Sequence, residues 1–293
     1  MKKYAVSAIL AGCCWGCTGL FTRSMTAMGL DSFGILFTRC LVGAICFGII
    51  MLIKDPKLFR IKWKDLWLFL AVGIVGQLFF AFFYYNAINM MSVSTACILL
   101  YLSPAIVTIL AHFFFKDKIR PRDALAVVIC VLGCAFVSGF GGSVSAKGIL
   151  FGLGSAVSFA LINMIDRAIL NRGYQGQTVN FYLCLISALG ATVFCGFKTP
   201  ISIAFASFSN LGICVLNGVL TAFAAYLFFS YALSGCESGK VSILASTEPV
   251  MATLLSIVIF HEPFGILSLL GIVLVLSGIV LQNTRGKSEL NAQ

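Results

Sequence analysis

Two charged side chains stand inside long apolar runs, and their types suit recognition of a small zwitterion. Glu248 precedes Pro249 in the run 241–260, and Arg39 stands in the run 32–53. A carboxyl in hydrocarbon can take an ammonium group, a cation or a proton, and a guanidinium can take a carboxylate. Neither charge is there cheaply, since an intramembrane charge costs about 2.5–3.5 kcal/mol on insertion scales. Pro249 also lacks an N–H, which frees the carbonyl one turn earlier, near Ala245. At 1.5 Å per residue, Arg39 lies roughly 10 Å below the outer surface and Glu248 roughly 12 Å above the inner one. In a core of about 30 Å their depths differ by roughly 8 Å, so a tyrosine, a water or a substrate between them fits better than direct contact. Both have a structural alternative: Arg39 can snorkel to the outer interface, and Glu248 can tie one helix to another.

Gln77, Asn86, Asn89, Tyr101, Asn163, Asn217 and Tyr226 are further polar residues in or near apolar runs. Each can equally be an interhelical hydrogen bond worth about 0.6–2 kcal/mol. The candidate substrate-binding set is Arg39, Gln77, Tyr84, Tyr101, Asn163, Asn217, Tyr226 and Glu248, with Tyr84, Tyr101 and Tyr226 closing a central cavity. Pro104 and Pro249 are the expected helix breaks. Asp166 and Arg167, at the end of their run, read as a surface pair.

Other chemistries find little support in the residues. No Cys/His spacing matches a zinc site, and His261-Glu262 opens like a zinc-protease motif only for Gly265 to stand where the second histidine belongs. No P-loop occurs, and no metal or cofactor is expected. A membrane-embedded enzyme is the alternative from another class, without a visible acid pair or nucleophile and base. A non-transporting structural bundle is the other alternative.

These residues are set in a chain that is 60% hydrophobic and 10% charged over 293 residues, whereas soluble domains are roughly 45–50% apolar. Runs long enough to cross a bilayer lie at about 4–22, 32–53, 66–85, 93–115, 123–140, 148–166, 178–196, 211–233, 241–260 and 264–282. The expected fold class is therefore all-α and integral to the membrane, with ten transmembrane helices. With the N-terminus inside, the cytoplasmic segments collect Lys2, Lys3, Lys54, Lys57, Arg60, Lys62, Lys64, Lys116, Lys118, Arg120, Arg122, Arg167, Arg172, Lys240, Arg285 and Lys287. Only Arg23, Lys147 and Lys198 fall outside, so the formal charge of +10 is a topology signal that places both termini in the cytoplasm. It does not point to nucleic acid. Most of the 12 cysteines lie inside the runs, where a cysteine acts as a small apolar residue. Leu10-Ala11-Gly12-Cys13 resembles a lipoprotein signal, but the apolar run continues to Phe21, so a retained first helix is expected.

The second half of the chain repeats the first at an offset of 145 residues, without a gap. Pro104 falls on Pro249, Ala87 on Ala232, Ile98-Leu99 on Ile243-Leu244, Thr108 on Thr253, Asp117 on Glu262 and Gly133 on Gly278. Each copy holds five candidate spans, an odd number, so the second enters the bilayer upside down. Many secondary transporters build a midplane site from inverted repeats of this kind. The expected units are residues 1–140 and 147–293, joined by a linker at 141–146. Ser103, where the first copy has no carboxyl, makes the site asymmetric. Ala8, Gly12 and Gly16 match Gly152, Ala156 and Ala160 at an offset of 144, ladders of small residues that let helices approach closely in lipid. The aromatic runs 79–85 and 224–230 also overlie, as interfacial anchors or as two gates.

From Pro104 to Asp117, and from Glu248-Pro249-Val250-Met251-Ala252 through His261-Glu262-Pro263 to Gly271 and Gly278, the chain resembles the EamA-type branch of the drug/metabolite transporter superfamily. Asp117 departs from the usual glutamate, and Arg39 has no arginine counterpart in the second copy. The resemblance implies a ten-helix transporter of amino acids, nucleotide precursors, other metabolites or toxic compounds. The resulting expectation is a secondary transporter in the bacterial cytoplasmic (inner) membrane, moving a small polar metabolite by alternating access. Proton coupling and exchange are both open, and the protein is expected to be a monomer or a homodimer.

Overall fold

The computed structural model describes residues 2–103, 145–235, 247–261 and 265–283, with isolated positions between 106 and 136 and between 241 and 245. Among them the regular elements are all helical: α1 (Lys2–Ala27), α2 (Ser32–Lys54), α3 (Trp63–Met90), α4 (Val93–Leu100), α5 (Ala146–Leu170), α6 (Gly176–Cys195), α7 (Lys198–Ala204), α8 (Phe208–Ala232), α9 (Thr247–Phe260) and α10 (Ile266–Asn283). Six of these, α1, α2, α3, α5, α6 and α8, are long and apolar enough to cross a membrane. Helix is the form that satisfies every backbone N–H and C=O within one segment, as hydrocarbon requires. Pro104, Asp117, most of the linker and most of the expected span 123–140 lie outside the described residues.

Side-chain oxygens cap the helices where the chain re-enters. Asp31 accepts from Gly34 N at 2.8 Å, and Ser92, Ser145 and Ser207 accept from Thr95, Gly148 and Asn210 N at 3.0 Å each. Each cap satisfies one N–H that has no intrahelical partner, typically worth about 1 kcal/mol. Between α2 and α3, the turn at 55–65 is tied to the start of α6. Asp65 pairs with Arg172 and accepts from Tyr174 Oη at 2.7 Å, while Tyr182 Oη donates to the Phe59 carbonyl at 2.6 Å.

The repeat reappears in the backbone. α3 is wound as π-helix over Ala71–Leu78, and α8 over Gly218–Ala224, so that Gly73 and Gly218, 145 residues apart in sequence, both fall in the widened stretch. A side chain at Gly73 would meet Ile186 Cγ2 at 2.6 Å, and one at Gly218 would meet Val42 and, at 3.0 Å, the Arg39 carbonyl. Ser187 N lies 3.4 Å from the Gly73 position, and Ser187 is Val42 shifted by the same 145 residues. A close approach at a π-segment glycine thus occurs in both halves, α6 against α3 in one and α2 against α8 in the other. α2 and α6 pack on each other between these contacts.

The first helix of each half packs on the opposite half. α1 lies against α8 and α9, and α5 lies against α3 and α4. Both small-residue ladders are buried in these seams: Ala8, Gly12 and Gly16 on one side, Gly152, Ala156 and Ala160 on the other. A side chain on Gly16 would reach Met251 Cβ at 2.6 Å and the Glu248 carbonyl at 2.9 Å. Close packing of this sort supplies the association that water exclusion cannot provide in lipid.

The π-segment contact leads to a direct test. Gly218→Leu should overpack against Val42 and the Arg39 carbonyl at about 1–3 kcal/mol, seen as a lower unfolding midpoint of the purified protein in detergent. Gly212→Leu on the same helix, where a side chain meets nothing within 4 Å, should leave the midpoint close to wild type. Equal midpoints for the two variants would show that the contact does not constrain the fold.

Candidate functional site

Arg39 projects from α2 at a point where both neighbouring halves offer oxygen. Its side chain is 4% exposed. Nε donates to Thr221 Oγ1 at 2.9 Å, Nη2 to the Thr221 carbonyl at 3.0 Å and Nη1 to Tyr85 Oη at 3.0 Å. Thr221 stands in the π stretch of α8 and Tyr85 on α3, so the guanidinium joins three helices. Thr221 Oγ1 in turn donates to the Asn217 carbonyl at 2.8 Å, with the Asn217 amide oxygen 3.0 Å away. Every one of these partners is neutral. A buried charge normally has an ion pair or a dense set of hydrogen bonds, and among the described residues Arg39 has the second without the first.

Glu248 enters from α9, one residue before Pro249. Its Oε2 accepts from Tyr101 Oη at 2.9 Å across the α4–α9 contact, and Ser94 Oγ lies 2.8 Å from Thr253 Oγ1 further along the same seam. Both Glu248 and Tyr101 remain partly exposed. Tyr84 is within electrostatic reach of the same carboxyl and meets the Cys97 thiol. Arg39 and Glu248 feel each other electrostatically, but among the described residues no ion pair joins them.

Tyr226 completes the group. It is partly exposed on α8, with Trp15 of α1 edge-on at 5.3 Å between ring centroids, and it lies within electrostatic reach of Arg39, Cys40, Cys184 and Asp166. The remaining candidates divide. Gln77 is buried in the π stretch of α3, and Asn217 is buried beneath Thr221 with its amide nitrogen 3.3 Å from Met25 Sδ. Asn163 is exposed and donates to the Phe159 carbonyl of its own helix at 2.8 Å, so no bond draws it toward Arg39 or Glu248. Pro249 is buried in α9, and the described residues Leu244 and Ala245 before it are helical as well. Pro104 lies outside the described residues.

Tyr85, Thr221 and Trp15 join the site without having been singled out by the sequence. A threonine in an apolar run carries no signal of its own, and Tyr85 is separable from Tyr84 only once helix orientation is known. Asp166 departs from its reading as half of a surface pair: its Oδ1 is buried without a hydrogen-bond partner. A groove of about 440 Å³ along Val273, Leu276, Ser277, Val280 and Leu281 on α10 includes none of the charged or tyrosine residues.

Six apolar helices of spanning length around charged and phenolic groups define a multi-pass membrane protein. The chain belongs to the EamA-like transporter family, whose pattern matches it twice, over residues 2–139 and 146–284. It is similar to the uncharacterized transporter YxxF of Bacillus subtilis (strain 168), 26% identical over 300 residues, covering 99% of this chain and 92% of that one. It is also similar to the uncharacterized inner membrane transporter YicL of Salmonella typhimurium (strain LT2), 25% identical over 293 residues, with 96% and 95% covered. A solved crystal structure superimposes with a TM-score of 0.67 at 17% identity, covering 96% of each chain, which shows the same fold.

The bonding of Arg39 sets an expected cost. Tyr85→Phe leaves the Nη1 hydrogen aimed at a ring edge, and a buried donor left unpaired costs about 1–3 kcal/mol. Unfolding of the purified variant in detergent should show that loss. In an Arg39→Met background the same substitution should be nearly neutral, and equal losses in both backgrounds would mean that the bond contributes nothing.

Proposed function

We propose that the protein is a secondary transporter for a small metabolite carrying both a carboxylate and an amine, the amino-acid class, working by alternating access. The observation that supports this most is the state of Arg39: among the described residues, a buried guanidinium held by neutral oxygens, within electrostatic reach of a carboxyl with which it does not pair. Three of its five N–H groups are engaged, leaving two for a substrate carboxylate. Glu248, held by Tyr101, receives the ammonium end. The gap between the two charges is occupied by substrate, and Tyr84, Tyr101 and Tyr226 close around it.

The reading includes ten spans in two inverted five-helix repeats, residues 1–140 and 147–293 with 141–146 between them. The doubled family match and the paired π segments support the repeat. The charge bias supports two cytoplasmic termini in the inner membrane. One chain contains the whole site, so a monomer suffices and a homodimer would hold two. No cofactor is called for, and the drive comes from exchange or from protons.

The test is counterflow. Purified protein in proteoliposomes preloaded with an unlabelled mixture of L-amino acids should take up the same mixture radiolabelled, saturably. Glu248→Gln should abolish that uptake while remaining folded and inserted. Arg39→Ala should lose amino acids yet spare the corresponding amines that lack a carboxylate. Uptake by Glu248→Gln at the wild-type rate, or no counterflow by the wild type with any amino acid, would defeat the proposal.

A further inference from the structure

Among the described residues, Asp166 Oδ1 is the buried side-chain oxygen left without a hydrogen-bond partner. Asp166 stands on α5 four residues before its end at Leu170, and the residue as a whole is partly exposed. One oxygen is therefore sealed, while the residue as a whole keeps some accessible surface. Arg167 does not relieve it, because successive residues on a helix point about 100° apart and Arg167 is exposed. Burying an ionised carboxylate with no donor is costly, whereas a neutral carboxyl can be buried far more easily.

The titratable groups on the elements around α5 are committed elsewhere. On α3, Asp65 is held by Arg172 and Tyr174, Tyr84 meets Cys97, and Tyr85 accepts from Arg39. On α4, Tyr101 donates to Glu248, and on α6, Tyr182 donates to the Phe59 carbonyl while Cys184 faces Cys40. The group that does sense Asp166 is Tyr226 of α8, which is also within electrostatic reach of Arg39. A charge appearing at Asp166 is thus felt one residue away from the guanidinium.

We propose that Asp166 is a proton-binding site that couples the transport cycle to the proton gradient. When water reaches the carboxyl, its O–H bond breaks, the proton passes to water and the bonding pair stays on oxygen as carboxylate. Resealing the site requires the reverse step, with a proton taken from water. The negative charge of the open form acts through Tyr226 on Arg39 and changes how strongly Arg39 holds an anion. The existence of this proton site is independent of the transporter reading; its use in a cycle rests on that reading.

Infrared spectroscopy of the full chain in proteoliposomes tests the site with protons alone as the probe. A carbonyl stretch of a protonated carboxylic acid should be present near neutral pH and titrate with the bulk. It should be missing in Asp166→Asn and retained in Glu248→Gln. Because the amide can disturb packing, Asp166→Glu is the companion variant, and there the band should return at a shifted frequency. Identical spectra for wild type and Asp166→Asn, or no band in Asp166→Glu, overturns the proposal. Amino-acid counterflow should depend on pH in the wild type and lose that dependence in Asp166→Asn, whereas a profile of wild-type shape overturns the coupling role. If the wild type shows no counterflow at all, the transporter reading fails and the infrared result decides the proton site by itself.

Discussion

The structure turns on a cation that must be satisfied without water. Arg39 needs oxygen partners in hydrocarbon, and three of its five N–H groups find them on two other helices, Thr221 of α8 and Tyr85 of α3. A regular α-helix directs its carbonyls to the N–H four residues on. In the π stretch over Gly218–Ala224 the ladder is shifted and the Thr221 carbonyl is available to a side chain, which suits the tendency of such turns to occur at functional sites. Gly218 then matters twice, because its missing side chain also lets α2 come close enough for the bond to form. The polar geometry and the small-residue packing are one constraint, expressed at the same place.

That scaffold is doubled while its chemistry is single. The 145-residue offset carries Gly73 onto Gly218 and Val42 onto Ser187, preserving the close approach. The same offset carries Arg39 onto Cys184, Glu248 back onto Ser103 and Thr221 back onto Gly76. Each charge therefore occurs once, on one half, facing a half whose equivalent residue is small or weakly polar. A symmetric pair of charges would set like against like near the axis. The asymmetric arrangement sets a cation from the first half against a carboxyl from the second.

What could be read from the sequence follows from how each residue announces itself. Arg39 and Glu248 stood out because a charge in an apolar run has few explanations, and the ladders through Gly12 and Gly152 stood out because spacing and repetition coincided. Thr221 and Tyr85 gave no such signal, since one hydroxyl among apolar neighbours is as often a bond within its own helix. Asp166 was misjudged for a physical reason: Arg167 beside it suggested a pair, but neighbours in sequence do not face each other on a helix. Asn163 spends one N–H on the Phe159 carbonyl of its own helix, a bond that polarity in the sequence does not reveal. The span count was legible only in part, because six described helices reach spanning length by themselves.

The packing of first helices onto the opposite half decides which bodies can move. α1 belongs with α8 and α9 in space, and α5 with α3 and α4, so a rigid separation of the sequence halves would tear both small-residue seams. Motion that preserves those seams moves one mixed bundle against the other, with α2 and α6 between them. Several described bonds cross that division: Arg23 of α1 donates to the Ile88 and Met91 carbonyls, Asn89 of α3 donates to Thr26 of α1, and Ser94 of α4 meets Thr253 of α9. Tyr101 to Glu248 joins α4 to α9 directly, and Arg39 joins both bundles at once, through Tyr85 on one side and Thr221 on the other. Arg39 holds Thr221 by two bonds and Tyr85 by one, so at Arg39 the side toward Tyr85 parts with the fewer bonds broken. Under the proposed function, the Tyr85 and Tyr101 bonds are the ones that a substrate's carboxylate and ammonium groups would replace.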